Sequence, residues 1–219
     1  DMFNKIISSH ISSNRRRING QKYIIFDGSD ITKSKYRKME GIAAVRDGSK
    51  SSKKLSMRPG YYWENVIGAN DSNDKIFPIY SEIFSRDLDC EYKISENRKI
   101  LSIYDTIKPS LSSSSVLVMD RGYDRRTLIT PFLEKNQQFI IRQVGRRHLI
   151  FNNTCKALKK IYKETDFKHY YKVQTNNHGK KRVRNFNVGA LKVEFPDFSY
   201  NKKDKQLWLI TSKESGKGY

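Results

Sequence analysis

Cysteine is scarce in this chain. Two in 219 residues, Cys90 and Cys155, are too few and too far apart for a disulfide framework or a zinc site. They read as reduced, ordinary side chains of a cytosolic protein. The four histidines, His10, His148, His169 and His178, are equally scattered. No run approaches the roughly 18 apolar residues that a spanning helix needs. The opening Asp1-Met2-Phe3-Asn4-Lys5 lacks the apolar stretch of a secretory signal. Acidic residues are also in short supply, 23 Asp and Glu against 43 Lys and Arg, for a net charge of +20. Such an excess favours a polyanionic partner and speeds encounter with one. Charge alone does not choose among DNA, RNA and an anionic membrane, and a merely solvated basic surface is the plain alternative.

What is present suffices for a core. Hydrophobic residues make up 37% and aromatics 12%, and Tyr, Phe, Ile and Leu recur throughout, which excludes global disorder. The length suits one sizeable core or two small ones. The first residue is Asp, and the last apolar stretch, Leu207-Trp208-Leu209-Ile210-Thr211-Ser212, has almost nothing after it. The chain therefore reads as a segment of something longer.

Residues 1–20, with the triplet Arg15-Arg16-Arg17, read as a short helix or linker arriving from a missing N-terminal region. Tyr23-Ile24-Ile25-Phe26, stopped by Asp27-Gly28, fits a buried strand. Residues 41–60, rich in Gly, Ser and Lys, read as a long basic loop. Tyr61 to Ala69 and Ile76 to Phe84 are two apolar stretches separated by Asn70, Asp71, Ser72, Asn73 and Asp74, strong hairpin punctuation. Ser95 is placed as an N-cap for a helix with Ile100, Ile103, Tyr104 and Ile107 at helical spacing, halted by Pro109. Val116-Leu117-Val118-Met119 reads as a second buried strand ending in a carboxylate, Asp120. A helix over 124–135, with Leu128, Phe132 and Leu133 inward, and a strand from Gln138 to Val144 follow. Beyond Gly145 the pattern turns to short alternating basic pieces: Tyr170 to Thr175, Val183 to Val188 and Leu191 to Phe195. The order predicts an α/β sheet with one β-rich insertion and no internal repeat.

Asp27 and Asp120 share a local pattern, four apolar residues, then Asp, then Gly one or two positions on. In open α/β sheets ligands gather beyond the strand ends, and Gly there permits a sharp turn and close approach of a substrate. Two carboxylates on neighbouring strands suit hard divalent cations, whose remaining positions go to water and phosphate. An ordinary Asp-Gly turn or a helix cap is the bland alternative. It loses ground because carboxylates on a polycationic, DNA-binding surface repel the ligand unless a metal neutralises them.

At this point a resemblance enters. Tyr23-Ile-Ile-Phe-Asp27-Gly-Ser-Asp30-Ile-Thr-Lys33 resembles the first catalytic motif of bacterial insertion-sequence transposases of the DDE type. Val116-Leu-Val-Met-Asp120-Arg-Gly-Tyr-Asp124 resembles their second, 93 residues on from Asp27 to Asp120. Phe139-Ile-Ile-Arg142 is similar to the family's Phe-Ile-Val-Arg strand. Gly60-Tyr61-Tyr62 with the Pro78 strand is similar to the intervening hairpin. Leu207-Trp208-Leu-Ile-Thr211 is similar to the strand that closes the family's insertion. The likeness covers residues 20–145 well and 146–206 only by character.

The resemblance implies a ribonuclease-H-like α/β fold, a mixed sheet flanked by helices with a β-rich insertion. It divides the chain into 1–20, a linker; 21–145, the catalytic core; 146–206, the basic insertion; and 207–219, a strand returning to the core. It implies that Asp27 and Asp120 are catalytic and bind Mg²⁺ or Mn²⁺, two ions, for endonucleolytic cleavage and strand transfer. Its third carboxylate, a Glu in a Tyr-x-x-Arg-x-x-x-Glu pattern, has no counterpart here; Glu214 sits in a loop-like context and is not promoted. A protein of these residues alone is therefore expected to be inactive or severely impaired. Expected partners are DNA, both transposon ends and target, and a second copy in a synaptic homodimer, with no membrane; the expected location is cytoplasmic, at the bacterial nucleoid.

Arg121 and Arg142 are the leading phosphate contacts, because guanidinium forks match phosphate oxygens. Arg146, Arg147, Lys180, Lys181 and Arg182, with Arg184 beside them, form backbone-tracking patches. Trp208 is a candidate for stacking on an unpaired base, against a core role. Asp30 and Asp124 read as turn or cap residues before second-layer groups. Two other readings stand: a ribonuclease-H-like nuclease without strand transfer, and a non-catalytic nucleic-acid-binding remnant of a transposase.

Overall fold

In a computed structural model, residues 2–32, 39–46, 57–71, 76–85, 95–143, 145–177, 180–196 and 207–215 are described. Lys33, residues 47–56, Ser72 to Asp74, Cys90, Val144 and His178 lie outside them, as does the side chain of Lys180. The chain divides into two compact units, Asp1–Gln143 and Val144–Tyr219.

The first unit begins with helices α1 (Met2–Ser13) and α2 (Arg15–Asn19). The short-helix reading of residues 1–20 holds, and the segment packs onto the unit: Ile11 and Ile18 are buried in its core and the Arg17 guanidinium lies 4.4 Å from the Phe77 ring centroid. Strands β1 (Tyr23–Thr32), β2 (Ala43–Arg46), β3 (Met57–Ala69) and β4 (Phe77–Phe84) follow. Then come α3 (Glu96–Ile107), β5 (Val116–Met119), α4 (Arg126–Glu134) and β6 (Gln138–Ile141). In the sheet β1 lies between β3 and β5, with β6 beyond β5, while β2 and β4 both pair with β3. Pairings β1–β3, β2–β3 and β3–β4 are antiparallel; β1–β5 and β5–β6 are parallel. This is a mixed, curled α/β sheet, consistent with a ribonuclease-H-like fold.

Alternation along each strand sorts the faces. Ile24, Phe26, Val66, Leu117 and Met119 turn inward onto Ile100, Ile103, Tyr104 and Ile107 of α3 and Leu128 and Phe132 of α4. Tyr104 and Phe132 meet edge to face at 5.1 Å. The expected cap is present: Ser95 Oγ accepts from the Arg98 N–H at 3.4 Å, and Pro109 falls in a 3-10 turn that closes α3. On the other face Ile25, Ile67 and Val118 are half-buried and Trp63, Ile83 and Ile140 are exposed.

Two local expectations change. The 41–60 loop contains β2 and the start of β3, with Ala43 opposite Gly60; a short strand is easily lost among Gly and Lys. Nor does β1 stop at Asp27-Gly28. It continues to Thr32 because β3 is long enough to pair with it down to Gly60.

The second unit starts with a hairpin, β7 (His148–Phe151) and β8 (Thr154–Ala157). Asn152 and Asn153 both have positive φ, 50° and 58°, as a two-residue type I′ turn requires. Helix α5 (Leu158–Lys163) leads to a three-stranded antiparallel sheet, β9 (His169–Asn177), β10 (Lys180–Val193) and β11 (Leu207–Glu214), with β10 in the middle. Leu149, Ile161, Val193, Phe195 and Leu209 are its buried apolar residues. Residues 207–214 pair with β10 over Phe186 to Val193. They thus belong to this unit's sheet and are not a strand returned to the first, since their hydrogen bonds are taken up by β10.

Candidate active site

The parallel register brings the two aspartates together. Ile25 pairs with Val118 and Phe26 with Met119; one further step along both strands reaches Asp27 and Asp120, which share the face carrying Ile25 and Val118. Strand β6 extends the row. Ile141 pairs with Met119, and the next residue, Arg142, donates its N–H to the Met119 carbonyl at 3.2 Å. Asp27, Asp120 and Arg142 therefore stand in one row, at the C-terminal ends of β5 and β6, where open α/β sheets place their ligands, and midway along β1, which runs on to Thr32 beside β3.

All three are exposed. No ion pair engages Asp27 or Asp120 among the described residues. Asp120 caps the following 3-10 turn, its Oδ1 accepting from the Gly122 N–H at 2.7 Å, and Arg121 is exposed on that turn. Opposite Asp27 on β3 is Asn65, whose Oδ1 accepts from Ser81 Oγ at 2.8 Å, and Ser81 in turn accepts from Trp63 Nε1 at 2.9 Å.

Behind this row, on the core face, lies a pair that the sequence did not reveal. Glu64, 3% exposed, is opposite Gly28 and accepts a 2.6 Å hydrogen bond from the Tyr123 hydroxyl. Burial is the main influence on Glu64 and pushes its carboxyl up to about 7; the Tyr123 hydrogen bond opposes this, and the charges of Glu96 and Asp27 reinforce it. Burial likewise pushes the Tyr123 phenol up, assisted by Glu64 and then by Asp27 and Asp120. Both aspartates thus act on one phenol. Gly28 has a spatial role and makes no turn: a Cβ there would lie 2.9 Å from Glu64 Oε2 and 3.0 Å from the Tyr123 hydroxyl. Period-2 reading of β3 puts Glu64 on the Val66 face, and that was the one signal available.

As a donor set, two adjacent carboxylates offering only oxygen fit Mg²⁺ or Mn²⁺ as two ligands of an octahedron. Among the described residues no group of three or more His, Cys, Asp or Glu is arranged to hold a metal; Glu64 faces the core. Asp30 is an exposed strand residue, and Asp124 is buried just after the 3-10 turn.

The remaining sequence-selected residues belong to the second unit. Arg146 is exposed, whereas the Arg147 guanidinium lies 5.0 Å from the Phe195 ring centroid and is half-buried, a packing role. Lys181 and Arg182 are exposed on β10. Trp208 is 59% exposed, so the core alternative for it fails. Cys155 is a free, exposed thiol. Among the described residues no helix is long and apolar enough to cross a membrane. Comparison with protein-family models and with curated proteins gave no match.

Proposed function

We propose that the first unit is the core of a metal-dependent phosphoryl-transfer enzyme acting on DNA. Within that class, the motifs around Asp27 and Asp120 favour a bacterial insertion-sequence transposase of the DDE type. The observation that carries the reading is the register that sets Asp27 and Asp120 next to each other on neighbouring parallel strands, both exposed and neither in an ion pair among the described residues.

Asp27 and Asp120 hold Mg²⁺ or Mn²⁺, which when bound supplies Lewis-acid activation of an attacking water or 3′-hydroxyl. Arg142, beside Asp120, and Arg121 on the turn after it take phosphate oxygens of the strand being cut. Asn65 stands opposite Asp27 on the neighbouring strand. Glu64 and Tyr123 fix the strand and turn that carry the two acids. Transposon ends and target DNA are the substrates, held in a homodimer at the bacterial nucleoid, and a third carboxylate completes the site from outside these residues.

A second reading, a DNA-binding module without catalysis, is favoured by the lack of a third donor among the described residues. A prolonged plasmid-nicking assay in Mn²⁺, sensitive to the residual cleavage that two of three carboxylates support, separates the two. Under the first reading Asp27→Asn and Asp120→Asn each abolish cleavage while leaving DNA affinity within about twofold. Cleavage unchanged by Asp120→Asn, in protein free of contaminating nuclease, removes the catalytic assignment.

A further inference from the structure

The second unit carries 18 Lys and Arg against 6 Asp and Glu, and its three-stranded sheet has two unlike faces. One is closed. Leu209 and Thr211 are buried on it, and a Cβ at Gly189 would lie 2.2 Å from Thr165 Cγ2 and 2.7 Å from the Asp166 carbonyl. The other is open, and the register gives its composition row by row. Lys192 is opposite Trp208, Ala190 opposite Ile210, Val188 between Ser212 and His169, and Phe186 between Glu214 and Tyr171. Arg184 and then Arg182 continue the same face along β10.

Trp208, Ile210 and Tyr171 are 59%, 62% and 41% exposed. Tyr171 and Phe186 are stacked with centroids 5.2 Å apart and planes 15° from parallel. Each aromatic position has a cation beside it: Arg184 lies 5.1 Å from the Phe186 centroid and Lys192 5.5 Å from that of Trp208. Six residues of β10 separate the Phe186 and Lys192 rows, about 20 Å at strand rise. The face's carboxylate, Glu214, is held by a two-pronged pair with Arg184 at 2.9 and 2.7 Å, so those two charges cancel and Lys192, beside Trp208, is the cation at the other end of the face.

We infer that this face is a stacking platform for single-stranded DNA. Aromatic rings offer unpaired bases a surface that a duplex, with its bases already stacked, does not use; the cations at the two ends of the face, Lys192 and Arg182, lie where the phosphates would run. A duplex-binding surface needs the cations but not the rings. An acidic protein partner would equally use the cations, and the choice falls on nucleic acid because the face also offers flat rings, Tyr171 with Phe186 near one end and Trp208 at the other, that a carboxylate partner does not need. The inference shares with the proposed function only the identity of the partner. It goes beyond a single base at Trp208 by assigning a surface built on Tyr171, Phe186 and Trp208.

The test is fluorescence anisotropy of the full chain with labelled oligo(dT) of 15 nucleotides, oligo(U) of the same length and a 15-base-pair duplex, over a salt series. Single strands are expected to bind more tightly than the duplex. Tyr171→Ser and Trp208→Ser are each expected to weaken single-strand binding by about tenfold, the loss of one stacked base, with the duplex affinity and the salt slope unchanged. Lys192→Gln should instead lower the salt slope. Circular dichroism of each variant shows whether the sheet is intact, and Trp208→Phe, which keeps a ring, restores single-strand binding. Equal affinity for oligo(dT) and duplex, preference for oligo(U) over oligo(dT), or folded serine variants that bind like the parent overturn the inference. Asp27→Asn and Asp120→Asn are expected to leave single-strand binding intact, so loss of cleavage and loss of stacking are read separately.

Discussion

Glu64→Gln isolates the cost of holding a carboxyl inside the first unit. Glu64 is 3% exposed, and burial raises its carboxyl to about 7 from the usual 4.5. The groups that face it are Tyr123, which donates to it, the Glu96–Arg125 pair, Asp27, and Glu82, which sits opposite on β4 bound to Lys99. The sign follows from proton binding. Between pH 4.5 and 7 the folded chain retains a proton on Glu64 that the unfolded chain has released, so stability falls as pH rises through that window and is flat on either side. At 1.36 kcal/mol per pK unit, the 2.5-unit gap amounts to about 3 kcal/mol. Glutamine keeps the shape and its carbonyl still accepts from Tyr123, but it does not titrate. The stability of Glu64→Gln relative to the parent should therefore rise by about 3 kcal/mol from pH 4 to pH 8, measured by urea unfolding at half-unit steps. Taking the difference between the two proteins cancels every other titrating group. Parallel stability curves across that range would refute the assignment of a buried, proton-retaining carboxyl.

Gly28→Ala places a methyl 2.9 Å from Glu64 Oε2 and 3.0 Å from the Tyr123 hydroxyl, and thermal unfolding should show a loss of about 1–3 kcal/mol. Gly189→Ala meets the Asp166 carbonyl and Thr165 instead; because backbone yields less than a side-chain end, its loss should be the larger of the two. Ser95→Ala removes the α3 cap and should lower stability by about 1 kcal/mol, while Ser113→Ala, at an exposed position of the serine run, serves as the neutral control. Ile103→Ala empties a position that is 1% exposed between α3 and the sheet, with an expected loss of about 2–5 kcal/mol by urea unfolding.

Elements were legible where one interaction decides them. The α3 helix was readable because Ser95 caps it, Ile100, Ile103, Tyr104 and Ile107 share a face, and Pro109 closes it; all of these are local. Val116 to Met119 and Tyr23 to Phe26 were readable as buried strands for the same reason. What failed depended on distant partners. The continuation of β1 to Thr32 is set by β3, and β2 exists because β3 offers it an edge. The 207–214 strand is held by β10, and nothing in its own apolar pattern says which sheet it joins. Residues 1–20 read as a short helix or a linker; the helices are there, but that Ile11 and Ile18 reach the core depends on strands and helices distant in sequence.

The site divides in the same way. Asp27, Asp120 and Arg142 could be picked out because each ends an apolar run, and the parallel register of β1, β5 and β6 then sets them in one row. Glu64, Asn65 and Tyr123 could not, since their position depends on which face of β3 meets Gly28 and on how the turn after Asp120 folds back. That the Arg147 guanidinium lies on the Phe195 ring could not be read either, since the two are far apart in sequence.

The direct measurement is Mn²⁺ titration of the full chain followed by paramagnetic broadening of its amide signals. The account predicts that broadening begins at Gly28, Arg121 and Gly122, the neighbours of the two acids, and disappears from those signals in both Asp27→Asn and Asp120→Asn. Broadening centred elsewhere, or unchanged in either variant, would contradict the claim that these two carboxylates bind the cation together.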